Sequence, residues 1–152
     1  MSITYYSNTD QYKLSNLHQK LDEPLDTDTI AFLKSRPWWT PNHDKIQDIL
    51  INLVPETHLV ATPVDDIEKM LDGFLVRVVD NDLILLKMKQ NQCHDNSSRL
   101  LYQNKIKEMH TGLALSADRR WRSHSWGIDN NNIIIETTVP RLVYITFEIN
   151  KK

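Results

Sequence analysis

The chain is 152 residues long, 40% hydrophobic and 25% charged, with 18 basic residues against 20 acidic ones and a single cysteine. That size and balance fit one globular domain that can fold without disulfides or a structural metal, and they argue against disorder. The missing basic excess disfavours general nucleic-acid binding, no apolar run approaches the ~18 residues of a membrane span, and one cysteine allows neither an internal disulfide nor a Cys-rich zinc site.

Met1 to Leu14 lacks the basic and apolar regions of a secretion signal. A cytoplasmic location is therefore expected, with export by a specialised route left open. Tyr12, Leu14, Leu17 and Leu21 fall at rough helical spacing behind Thr9 and Asp10, which can cap. A short helix is expected over Asp28–Lys34, then an extended linker in which Pro37 and Pro41 bracket Trp38 and Trp39. Asn42 reads as the N-cap of a helix whose apolar face is Ile46, Ile49, Leu50 and Leu53, stopped by Pro55. Thr62-Pro63 opens a further helix that Gly73 ends.

Beyond Gly73 the texture changes. Phe74–Val79 and Leu83–Met88 are β-rich and are separated by Asp80-Asn81-Asp82, which predicts a hairpin. Residues 94–107 show helical spacing through Leu100, Leu101 and Ile106. Four strands follow, at Thr111–Ser116, Trp121–Ile128, Ile133–Thr138 and Arg141–Ile149. The expected architecture is α+β in a single domain over 1–152. Residues 1–73 form a helical part, and residues 74–152 form a helix packed on a mainly antiparallel sheet.

Cys93 falls where a polar loop turns into a helix, and a helix N-terminus favours thiolate. The alternative is a small buried hydrophobe, against which the polar neighbours Asn91, Gln92, His94, Asp95, Asn96 and Ser97 argue. His94 is adjacent, but successive helix side chains diverge by about 100°. His124 is the better base. It lies in an alternating segment on one face with Arg122 and Trp126, where an aromatic neighbour can hold its rotamer. Its alternative is an ordinary half-buried strand histidine. Glu136 ends the apolar run Ile133-Ile134-Ile135 and lies across the Asp129–Asn132 turn from His124, in register to orient the ring. Asp129 is the rival orienter but suits the turn better.

Cys93-His94-Asp95-Asn96, the strand Thr111-Gly112-Leu113-Ala114-Leu115-Ser116, the strand Trp121-Arg122-Ser123-His124-Ser125-Trp126-Gly127, and Glu136-Thr137-Thr138 with Arg141 and Tyr144 carry a resemblance. This set resembles small bacterial proteins with C-H-x-N, W-R-x-H-S-W-G and E-T-T motifs. Its order is similar to that of papain-like and NlpC/P60-like cysteine hydrolases, in which a helix-borne Cys precedes a strand His and a polar third residue. The resemblance spans roughly residues 90–147 and implies a papain-like order of elements around a Cys93–His124–Glu136 triad. It also implies an oxyanion donor just upstream of the cysteine, for which Gln92 is available although closer than that pattern places it. Asn96 recurs in the motif, either orienting His94 or capping the helix.

The basic cluster of Arg119, Arg120, Arg122 and Arg141 suits either a carboxylate-bearing substrate or solvated strand ends, and Arg122 and Arg141 are the substrate-binding candidates. No metal or cofactor is called for, and His18, His43 and His58 carry no assignment. The leading expectation is a cysteine-dependent hydrolase or acyltransferase acting on an amide of a protein or peptide. The alternatives are a non-enzymatic interaction protein, such as an immunity or adaptor protein, and a module whose Cys–His pair holds a small ligand.

Overall fold

A computed structural model describes residues 9–13, 27–53, 60–61, 74–79, 82–118 and 120–149. In chain order these form β1 (Thr9–Lys13), α1 (Thr27–Lys34), α2 (Pro41–Leu53), β2 (Val60–Ala61), β3 (Phe74–Val79), β4 (Asp82–Leu86), α3 (Cys93–Tyr102), β5 (Glu108–Leu115), β6 (Arg120–Ile128), β7 (Ile134–Glu136) and β8 (Val143–Ile149). The expected α+β plan is present. The described strands form one sheet in the order β1-β4-β7-β6-β5-β8-β3, with β2 pairing β6 off that path. Most pairings are antiparallel, while β4–β7 and β2–β6 run parallel. No described helix is long and apolar enough to cross a membrane.

Two expectations fail at the sheet margins. Thr9–Lys13 is a strand, not the start of a helix. Its residues pair with β4 from Thr9–Leu86 to Lys13–Asp82, and Tyr12 packs against the core. One ladder of tertiary hydrogen bonds thus overrides a loose helical spacing in a polar segment. The continuation of that expected helix through Leu21, and the Thr62–Gly73 helix, lie outside the described residues. The second failure is the hairpin of β3 and β4, which do not pair. β3 runs antiparallel to β8, whereas β4 lies between β1 and β7. Leu83-Ile84-Leu85-Leu86 is continuously apolar, with Leu83 and Ile84 buried, which suits a strand enclosed by neighbours better than one arm of a hairpin.

Helix boundaries differ from the expected ones for local reasons. α2 begins at Pro41, and the His43 N–H bonds the Thr40 carbonyl at 2.9 Å, so Thr40, not Asn42, precedes the first helical residue. Proline fits the first helical position because its missing N–H would be unpaired there anyway. α3 stops at Tyr102 rather than 107. Asn104 has a positive φ of 59°, and the Lys105 and Asn104 N–H groups return to the Leu100 and Leu101 carbonyls. That pair of bonds around a left-handed residue is the Schellman ending, with asparagine in place of glycine. His43, which carried no assignment, is buried against Trp38 and Trp39, with ring centroids 5.5 and 5.2 Å away. Its Nδ1 accepts the Thr40 N–H, and burial lowers its pKa below 6.5.

Two apolar clusters position the site. Ile46 and Leu50 of α2 join Leu113, Leu115, Trp121, Trp126, Val143, Tyr144 and Ile145 of the sheet. Leu100 of α3 and Ile106 join Ile84 of β4 and Ile135 of β7. Burying one such leucine contributes roughly 1.5–3 kcal/mol, and Leu100 thereby fixes α3 on the sheet beside β6. Ser97 is fully buried, and so small a side chain lets the helix approach closely. β5 requires glycine at 112, because a Cβ there would fall inside van der Waals distance of the Ile145 carbonyl oxygen on β8. A backbone oxygen in a paired strand cannot swing away. Gly112→Ala should therefore cost about 1–3 kcal/mol, read as a lower urea midpoint at unchanged slope.

Candidate active site

Cys93 is the first residue of α3, behind the N-cap residue Gln92, and its thiol is partly buried. Gln92 makes no side-chain cap bond, so it leaves the first-turn N–H groups of α3 to other partners. Asn96 neither orients His94 nor caps the helix. Its amide donates to the Lys89 carbonyl at 2.7 Å and to Thr137 Oγ1 at 3.3 Å, tying the helix start to the residue that follows Glu136.

The sheet register explains why the remaining groups meet. β6 and β7 pair at Gly127–Ile135 and Ile128–Ile134, which puts Glu136 on the same face as Trp126 and, two residues on, His124. His124 Nε2 lies 2.6 Å from Glu136 Oε1, with both side chains buried. The Cys93 thiol lies near enough to the His124 side chain and to the Ser125 main-chain N–H for both to favour its thiolate. With Nε2 engaged by the carboxylate, Nδ1 is the nitrogen left for the thiol. The three residues singled out in the sequence thus converge, with the imidazole in the middle. Trp126 stacks on that ring at 6.0 Å and 29°, and Tyr144 leans on it at 6.2 Å, which restricts its rotation.

Glu136 is fully buried, and an ionised carboxylate survives there only if donors replace its water. Oε1 receives His124 and the Tyr144 hydroxyl, the latter at 2.6 Å. Oε2 receives the N–H groups of Thr137 and Thr138 at 2.9 and 3.2 Å and the Thr138 hydroxyl at 3.3 Å. The Arg141 Nε lies 3.8 Å from Oε1. Desolvation alone would raise the Glu136 pKa, but the bonds from His124 and Tyr144 and the charges of His124 and Arg141 hold it below 4.5. Burial would likewise depress His124, and its bonds to Cys93 and Glu136 outweigh that and raise it above 6.5. The His124 bond is the largest influence on Cys93 and, with the Ser125 N–H, holds the thiol below 9.0 against partial burial and the Glu136 charge. The arrangement favours a thiolate–imidazolium pair backed by a carboxylate.

The two arginines expected to read a substrate are engaged within the protein. Arg122 makes a two-pronged bond to Asp118 at 2.9 and 2.7 Å. Arg141 bonds Ser116 Oγ at 2.8 Å and Thr138 Oγ1 at 3.3 Å, so it braces the acid. Asp129 serves its turn, accepting the N–H groups of Asn131 and Ile133. Tyr144, Thr137 and Thr138 belong to the sequence motifs, and their role as donors to Glu136 emerges only in the structure. The signal that could have assigned them is the burial demanded of a glutamate ending an apolar strand, since such a group needs several donors close by in the chain. Among the described residues no group of three or more His, Cys, Asp or Glu is disposed to hold a metal ion. No protein-family model, curated protein or solved structure matches the chain.

Tyr144→Phe removes one donor from Glu136 and should cost about 1–3 kcal/mol at neutral pH. A carboxylate with a lowered folded pKa contributes stability above its unfolded value and loses it as pH falls through the folded one. The gap between variant and wild type should therefore be full above pH 4.5 and narrow below it, as urea titrations at stepped pH would show.

Proposed function

We propose that this chain is a cysteine-dependent hydrolase or acyltransferase acting on an amide carbonyl, in a peptide bond, an isopeptide or a glutamine carboxamide. The observation that carries this is the meeting of a partly buried thiol, a ring packed against Trp126 and Tyr144, and a buried carboxylate on one ring nitrogen. The order of a helix-borne cysteine, a strand histidine and a polar third residue, as in papain-like hydrolases, supports the same reading, as do the motifs shared with the small bacterial group. A protein or peptide of the cytoplasm is the proposed substrate, since a lone thiolate-forming cysteine suits a reducing compartment.

In this mechanism the Cys93 sulfur attacks the amide carbon and the carbonyl oxygen takes the electron pair. The first-turn N–H groups of α3, with Gln92 beside them, stabilise that oxyanion. As the C–N bond breaks, His124 gives its proton to the departing nitrogen, leaving an acyl thioester on Cys93. Water or an acceptor amine then attacks the thioester, His124 takes the proton of that nucleophile, and the acyl group leaves sulfur. Glu136 keeps its charge throughout, orienting the ring and stabilising imidazolium. Because Tyr144, Arg141 and the threonine N–H groups hold it in place, the ring needs little reorganisation between steps.

A peptide carrying a thiol-directed electrophile in place of the scissile carbonyl tests this. Wild type should label on Cys93, and Cys93→Ala should not label while remaining folded. His124→Ala should lose about 10²-fold or more in labelling rate, the range of a general acid–base group. Glu136→Gln should lose less, because an amide still orients the ring. Equal labelling of wild type and His124→Ala would overturn the reading.

With any turned-over amide, kcat/KM should follow a bell. It should rise with pH through the depressed Cys93 value, below 9.0, and fall as His124 loses its proton above its raised value, itself above 6.5. The two limbs belong to the coupled pair rather than to either residue alone.

A further inference from the structure

Cys93 and His94 meet His124 and Ser125 pairwise. The second residues of the two doublets are in contact, His94 Nδ1 lying 3.3 Å from Ser125 Oγ, and the first residues, Cys93 and His124, are neighbours. From this geometry we propose that His94 is a positioning residue for the Cys93 thiol, acting through Ser125. This rests on the reading of Cys93 as the nucleophile.

Consecutive strand residues point to opposite faces, so the Ser125 side chain is on the other side of the sheet from the His124 ring. The Ser125 N–H lies in the sheet plane, and its direction follows from the ladder. The Lys107 N–H bonds the Ile128 carbonyl and the Ser116 N–H bonds the Arg120 carbonyl, so even-numbered residues of β6 address β5 and odd-numbered residues address the opposite edge. On that edge β7 reaches only Gly127 and Ile128, and β2 only Arg120 and Trp121. No described strand pairs with β6 at Ser125 on this side, which leaves the Ser125 N–H directed at the start of α3, where it favours the Cys93 thiolate.

The start of α3 therefore straddles the edge of β6. Cys93 lies toward the His124 ring, and His94 meets the Ser125 hydroxyl on the other face. Successive side chains at a helix start diverge by about 100°, which keeps His94 off the thiol and makes this straddle possible.

Ser125 is itself held. Its hydroxyl lies 2.8 Å from Thr111 Oγ1, directly opposite on β5, and its side chain is buried. Because odd residues turn their amides away from β5, Thr111–Ser125 is a non-hydrogen-bonded pair, the closer of the two kinds. The chain Thr111–Ser125–His94 thus anchors the helix start to the strand that carries the catalytic histidine. His94 itself is exposed, so its ring is not there to fill the core.

The test is the pH dependence of iodoacetamide alkylation of Cys93, which needs no substrate. Wild type, His94→Ala, His94→Asn, Ser125→Ala, the His94→Ala/Ser125→Ala double variant and His124→Ala are compared, each checked for folding by circular dichroism. His94→Ala should lower the alkylation rate near neutral pH about tenfold, an upward move of roughly one pKa unit in the thiol. His94→Asn should recover most of the loss, because an asparagine amide occupies the place of Nδ1. Ser125→Ala keeps its main-chain N–H yet should match His94→Ala, and the double variant should be no worse than either single one.

A His94→Ala profile superimposed on wild type overturns the proposal, as does His94→Asn behaving like His94→Ala. If His94→Ala does not fold, Ser125→Ala decides, and a wild-type profile there overturns the proposal. A change in His94→Ala with none in His124→Ala would sink the triad while leaving the His94 clamp standing.

Discussion

A carboxylate with no solvent contact has lost its hydration, and the protein must return that stabilisation through its own donors or the group takes up a proton. Glu136 receives His124, Tyr144, two successive threonine N–H groups and a threonine hydroxyl, with Arg141 close by. Each donor belongs to a different part of the molecule, or binds one part to the next. Tyr144 commits β8, His124 commits β6, and Thr137 is in turn held by Asn96 from the first turn of α3. Removing the charge would leave those donors facing each other in a dry interior. The geometry around Cys93 therefore follows from how one buried anion is satisfied.

That dependence also fixes the electrostatic balance. Cys93, His124, Glu136 and Arg141 follow one another along a short path, so that their ionised forms would alternate in sign. Each neighbour favours the ionised form of the next, which is why Cys93 and Glu136 shift down while His124 shifts up. Tyr144 moves the other way, well above 10.0, because burial and the adjacent carboxylate both oppose phenolate. It stays a donor at any pH where the site is intact, and it accepts the Arg141 N–H at 3.1 Å on its other side.

Much of the site was legible in the sequence because it is built from local devices. A polar loop before Cys93 marks a helix start. Alternation puts His124 and Trp126 on one face, and a short turn places Glu136 opposite them. These are periodicities of two and 3.6 residues, set by the geometry of the strand and the helix themselves. The sheet order was not legible, because whether Phe74–Val79 pairs with its neighbour or with Val143–Ile149 depends on contacts far along the chain. Thr9–Lys13 shows the same limit, since its polar face becomes a strand only once β4 is there to pair with it. The partners of the basic residues were not legible for another reason. Arg122 and Arg141 look alike as sequence, but Arg122 pairs with Asp118 at the surface while Arg141 reaches inward to the Glu136 network, a difference that depends on tertiary contacts.

The strand order also has a consequence in time. Residues paired across β5 and β6, or β6 and β7, are separated by short turns, so closing them costs little loop entropy. Thr9 must find Leu86, and Phe74 must find Ile149, each from far along the chain. Pairings of high sequence separation form late. The two ends of the described path, β1 and β3, are thus the last to close over a centre that short loops can bring together first. In a chain refolding from the unfolded state, the strands that carry His124 and Glu136 would meet before the margins are sealed.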